Sequence, residues 1–153
     1  MTKITFTAKA KTAPETIRSE CLVLPVFQTA SGSAAKPDIG SRLASRVADH
    51  LRLGDFKGAS GSTVLITGDA SIKRIMLVGC GGKQKFDQSG QRRFAETVGR
   101  ELSRLKAKEA TVNLQGVSLS ADALAQTLED LASQVVTACY VYDRTLTKTV
   151  EKP

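Results

Sequence analysis

Between Gly54 and Lys83 the chain places two short, β-rich apolar segments, Thr63–Thr67 and Arg74–Gly79, each bounded by glycines. The link between them, Gly68-Asp69-Ala70-Ser71-Ile72-Lys73, is short and polar, which suits an antiparallel hairpin. The second segment runs straight into Gly79-Cys80-Gly81-Gly82, and a helical pattern follows. A strand that ends in glycines before a helix either opens a ligand pocket or closes a tight strand-to-helix turn. Many α/β domains use that order of elements.

The flanking sequence extends the alternation. Ile4, Phe6 and Ala8 alternate with polar residues, as in a half-buried strand near an edge. Cys21–Phe27 is a continuous apolar run, as expected of a central strand buried on both faces. Pro25 lies inside it, and because proline donates no backbone hydrogen bond, regular pairing should end or bulge there. The small-residue stretch Thr29–Lys36 has no apolar pattern to hold it and should be mobile. A helix is expected from near Pro37-Asp38, with Leu43, Val47 and Leu51 as its inner stripe and Gly54 at its end.

Ser89 is a candidate cap for a second helix reaching about Lys108, with Phe94, Val98, Leu102 and Leu105 inside. Glu96 is spaced to pair with Arg100 on that helix. Ala110–Leu114 reads as a short strand. A third helix should start at Ser120, with Asp122 in its first turn and Leu124, Leu128, Leu131 and Val135 buried. From Tyr140 the helical periodicity is lost. The expected class is α/β: a mixed β-sheet with helices on both faces.

Candidate chemistry is sparse. The three cysteines are widely spaced and form no CxxC pair, which argues against a disulfide framework or a zinc site. The single histidine, His50, sits on a helical pattern, and a general base needs a positioned partner. A Cys80–His50 nucleophile pair would require two separate elements to meet. Carboxylates are scattered rather than clustered, so a catalytic metal site is not expected.

Two weaker constellations remain. Gly79, Gly81 and Gly82 form a candidate ligand loop, whose N–H groups could face a phosphate. The pattern is neither G-x-G-x-x-G nor GxxxxGK[ST], and glycines there equally serve close strand–helix packing. The formal charge of +7 permits nucleic-acid binding. Lys83, Lys85, Arg93, Arg100, Arg104 and Lys108 are the candidate contacts to DNA phosphates, set against the simpler reading of a solvated helix face. There is no helix-turn-helix or zinc-finger pattern, no tryptophan, and no apolar stretch long enough to span a membrane. A cytoplasmic protein with no membrane partner is expected.

Read as words, LVLPVF, GDFKGASG, RIMLVGCGG, FAETVGRELSRLKAKEATV and YVYDRTLTK occur in one order. In that order the chain resembles the amino-terminal domain of the leucyl aminopeptidase (cytosol aminopeptidase) family. The resemblance covers nearly everything from Cys21 onward and implies a macro-domain-like fold over 1–143, with 144–153 starting a linker to a catalytic domain. It also implies a parent that removes N-terminal amino acids from peptides with two divalent metal ions, manganese or zinc. The parent would be a homohexamer, and this domain would have an accessory or assembly role.

The family's catalytic words, including its NTDAEGR-type run, have no counterpart here, so no catalytic or metal-binding residue is carried over. The chain alone is therefore expected to be inactive and to hold no cofactor, whether it is a natural fragment or an engineered piece. Some bacterial members of the family also bind DNA, which makes a DNA-binding module the alternative. A nucleotide or ADP-ribose site by analogy to macro domains is a third reading, although their asparagine-rich NAAN-type word is missing.

Overall fold

The computed structural model describes residues 19–35, 41–105, 109–114 and 120–134. The strand expected around Ile4–Ala8, the tail from Tyr140, the 144–153 linker, and Lys108, Val135 and Cys139 lie outside them. Among the described residues four strands form one sheet: β1 (Ser19–Gln28), β2 (Thr63–Thr67), β3 (Ile72–Gly82) and β4 (Thr111–Val112). The helices are α1 (Ser41–Arg52), α2 (Gln88–Leu105) and α3 (121–134).

Sheet order is β2-β3-β1-β4. β1 runs parallel to both β3 and β4, whereas β2 and β3 pair antiparallel. The hairpin expected from the glycine-bounded segments is present. Its turn is held by Asp69, whose carboxylate accepts from the N–H groups of Ser71 and Ile72, both at 2.9 Å. β3 extends further at both ends than its apolar residues alone suggest.

Pro25 is accommodated differently from expectation. Pairing with β3 continues through it, Pro25 opposite Val78, and the register shifts only between Val26 and Phe27. The N–H of Asn113 donates to the Val23 carbonyl at 3.0 Å, so Val23 turns its peptide groups toward β4. Backbone groups alternate along a strand, so Pro25 also faces that side. The β1–β4 register covers only Leu22 and Val23, and proline follows where that ladder has ended.

Alternation along β1 and β3 divides the apolar residues between two faces. Leu22, Leu24, Val26, Ile75 and Leu77 join Leu43 and Val47 of α1, with Phe56. Cys21, Val23, Met76, Val78 and Cys80 join Phe94, Ala95 and Val98 of α2, with Leu131 of α3. The helices thus cover both faces, and the continuous apolar runs of β1 and β3 follow from burial on both sides.

Three local expectations are corrected. Asp87, not Ser89, caps α2: its carboxylate accepts from Gly90 N–H at 3.0 Å and its carbonyl from Gln91 N–H at 2.9 Å. Arg100 pairs with Glu101 at 3.5 Å rather than with Glu96. On α3, Ser120 does cap the helix, but Leu124 and Leu128 are exposed while Thr127 and Leu131 are buried. Thr127 tolerates burial because its hydroxyl donates to the Ala123 carbonyl at 2.8 Å and lies 3.4 Å from Gln91 Oε1 on α2.

Candidate functional site

The candidate loop lies at the end of the sheet where β1 and β3 finish, with Lys83 directly after it and Arg93 near the start of α2. Gly79 lies at a crossing. A Cβ there would overlap the Ala59 carbonyl oxygen and the Ser62 hydroxyl, because the 58–62 segment passes directly over the strand. The crossing is stitched by backbone bonds: Gly79 N–H to Ser62 O at 2.7 Å, Gly61 N–H to Gly79 O at 3.2 Å, and Gly81 N–H to Gly58 O at 2.8 Å. The amides of Gly79 and Gly81 are therefore committed to the protein itself. Gly82 is half-buried, with open space where a Cβ would stand. Gly79 serves close backbone approach, the second of the two roles open to these glycines from sequence, whereas Gly81 takes a left-handed φ of 74° and Gly82 is not crowded.

The neighbouring 29–35 segment is held by polar groups, where the sequence offered no apolar grip. Thr29 Oγ1 lies 2.9 Å from both the Ser31 and the Ser33 hydroxyls, and Ala35 N–H donates to Phe27 O at 2.8 Å. Beneath it, Phe27 meets Phe86 edge-on at 5.2 Å, and Phe86 meets Phe94 in the same way at 6.5 Å. Lys83 places its ammonium 5.9 Å from the centre of the Phe27 ring, a cation–π contact.

Arg93 reaches from the first turns of α2 to donate to the Ser60 hydroxyl at 3.3 Å, tying the helix to the crossing segment. Arg100 and Arg104 follow at helical spacings of seven and eleven from Arg93, which returns them to the same exposed stripe. Both approach Glu101, at 3.5 and 3.2 Å. Lys85 lies in a 3-10 turn, Lys83–Lys85, before α2. The stripe therefore brings together three of the six candidate cations, and Lys83 stands beside the crossing.

A nucleophilic site does not assemble. His50 is on α1, which covers one face of the sheet, and Cys80 belongs to the core on the other. Burial pushes the Cys80 thiol up to about 12, and it donates weakly to the Val78 carbonyl. Burial likewise raises the Cys21 thiol to about 11, partly countered by Arg74. Thiols so protonated are packing groups rather than nucleophiles. Among the described residues no group of three His, Cys, Asp or Glu side chains could hold a metal ion. The two divalent ions implied by the resemblance therefore find no fitting ligand set in this part of the chain. Also among the described residues, no helix is long and apolar enough to cross a membrane.

The sequence profile of the cytosol aminopeptidase family, N-terminal domain, matches residues 23–149. The chain belongs to the cytosol aminopeptidase family. A probable cytosol aminopeptidase of Alkalilimnicola ehrlichii is 30% identical over 139 residues, covering 90% of this chain and 28% of the relative. One from Thioalkalivibrio sulfidiphilus is 32% identical over 99 residues, covering 63% of this chain and 20% of the relative. The chain thus spans about a quarter of the length of these cytosol aminopeptidases.

A tomato leucine aminopeptidase variant shares the fold at a TM-score of 0.57 and 18% identity. That match covers 83% of this chain and 26% of the tomato chain. The cytosol aminopeptidase assignment does not depend on any site residue. It rests on the sequence match over residues 23–149, and the 58–62 segment as the partner of Gly79 was not legible in the sequence. GDFKGASG was visible as a word, but its contact with LVGCGG is a tertiary fact.

Proposed function

We propose that this chain acts as the non-catalytic amino-terminal domain of a dimetal leucyl aminopeptidase. In the full-length protein its role would be to support assembly, alongside its own catalytic domain and within a homohexamer. The observation that carries this reading is the family match over residues 23–149, in a chain that spans only 28% of its Alkalilimnicola relative. The missing catalytic words support it, as does the lack of a metal-ligating cluster among the described residues. Two-metal hydrolysis needs carboxylates converging on both ions, and that geometry would belong to the remainder of the parent. Manganese or zinc would be bound there, and N-terminal residues cleaved there, in the cytoplasm.

The test is direct. The purified chain, supplied with manganese or zinc, is expected to release no leucine from a chromogenic leucyl amide. Release that follows the chain through purification would overturn the reading.

A DNA-binding role is the second reading, favoured by the exposed stripe of Arg93, Arg100 and Arg104 on α2. Phosphate contacts of this kind weaken as salt rises. Gel retardation should then fall with salt and be lost when all three arginines are changed to alanine. Binding that survives the triple change would remove α2 as the interface.

A further inference from the structure

β2 forms one margin of the sheet, and among the described residues no strand pairs with its outer edge. Its inner bonds fix which groups face out. Gly79 N–H donates to Ser62 O, and Gly68 N–H to Lys73 O. Register along β2 is unbroken, from Thr63 opposite Val78 to Thr67 opposite Arg74. In an antiparallel ladder the bonded residues alternate, so Val64 and Ile66 face β3 as Ser62 and Gly68 do. Thr63, Leu65 and Thr67 therefore turn both N–H and C=O outward.

The strand reads Thr-Val-Leu-Ile-Thr, nearly the same in either direction, with Leu65 at its centre. A second copy laid antiparallel about a two-fold axis at Leu65 places Thr63 opposite Thr67, Val64 opposite Ile66, and Leu65 opposite itself. The axis falls on a residue whose backbone faces outward, so every outward donor and acceptor of Thr63, Leu65 and Thr67 finds a partner. A shift by one residue would put inward-facing groups at the axis and lose that match.

The side chains agree with the backbone. Leu65 is 44% exposed, although it sits mid-strand. Val64 and Ile66 are only partly buried at the margin of the α1-side core, and the facing copy would cover them. Apolar and β-branched cross-strand pairs of this kind stabilise an antiparallel edge, and Thr–Thr pairs add to it. Edge strands that must stay single usually carry lysine, proline or a bulge; β2 has none of these.

From this self-complementarity we infer that β2 is the isologous edge of a homodimer, in which two four-stranded sheets join antiparallel at Leu65 into one continuous sheet. The inference is independent of the aminopeptidase assignment.

Sedimentation velocity of the 153-residue chain across a concentration series should show reversible dimerisation. Leu65→Lys sets two like charges against each other at the axis and should weaken association by about tenfold or more, with the circular dichroism spectrum unchanged. A second set of variants reads the register, in a Cys139→Ser background because Cys21 and Cys80 are buried. Residues paired in the bonded register lie with Cα atoms about 5.5 Å apart, within disulfide reach. Under mild oxidation Leu65→Cys should therefore yield a covalent dimer. Thr63→Cys alone should not, and Thr63→Cys combined with Thr67→Cys should. A chain that stays monomeric throughout overturns the inference. So does a dimer indifferent to Leu65→Lys, or cross-linking by Thr63→Cys alone as readily as by Leu65→Cys.

Discussion

Gly79 and Gly82 are three residues apart in one glycine-rich word, yet they stand in opposite surroundings. At Gly79 even a methyl group would strike the Ala59 carbonyl and the Ser62 hydroxyl, and the backbone of 58–62 cannot retreat without breaking its bonds to β3. At Gly82 there is open space, with an ordinary extended backbone, φ −66° and ψ 138°. Gly79→Ala should therefore cost about 3 kcal/mol of stability, as overpacking against an immobile neighbour does. Gly82→Ala should stay within about 0.5 kcal/mol. Urea denaturation of the two variants checks the contrast, and equal losses would mean that the crossing is not what excludes the side chain. The sequence could not separate the two glycines, because phosphate loops and backbone crossings both call for a missing Cβ. What distinguishes them is a segment about twenty residues earlier in the chain.

Elements were more legible than their ends and faces. The hairpin, α1 with Leu43 and Val47 inside, and α2 with Phe94 and Val98 inside all follow from apolar spacing. The start of α2 did not, because Asp87 and Ser89 are both good caps and lie two residues apart. Only the hydrogen bond from Gly90 N–H to the Asp87 carboxylate decides between them. Asp87→Ala should lower stability by about 1 kcal/mol, the usual worth of such a cap, whereas Ser89→Ala should change it by less than about 0.5 kcal/mol. Thermal melts of both variants, read as helical signal, make the comparison. The face of α3 was misread for a related reason. Leucines at 124 and 128 outweigh a threonine in any apolar count, yet Thr127 is the fully buried residue. Its hydroxyl is satisfied within its own helix and beside Gln91, so polarity at that position carries little penalty.

At the scale of the whole molecule, the two cores lie on opposite faces of one sheet and share the backbones of β1 and β3. Leu24 contributes to the α1 side, and its neighbour Val23 to the α2 side. Neither core can open far while those central strands remain paired, so the described part should lose structure as one unit. Cys21 and Cys80 make this measurable, because both thiols are buried in the α2-side core and kept protonated by that burial. A thiol reagent should reach them only through opening of the sheet, at a rate that follows the open population when closing is fast. Leu24→Ala removes packing on the far face and touches neither thiol's core. It should still cost about 2 kcal/mol or more, and so raise the labelling rate of Cys21 and Cys80 roughly thirtyfold. The experiment uses a Cys139→Ser background and a reagent concentration low enough to keep labelling slower than closing. An unchanged rate in Leu24→Ala would show that the α2-side core opens on its own, and that the shared strands do not couple the two faces.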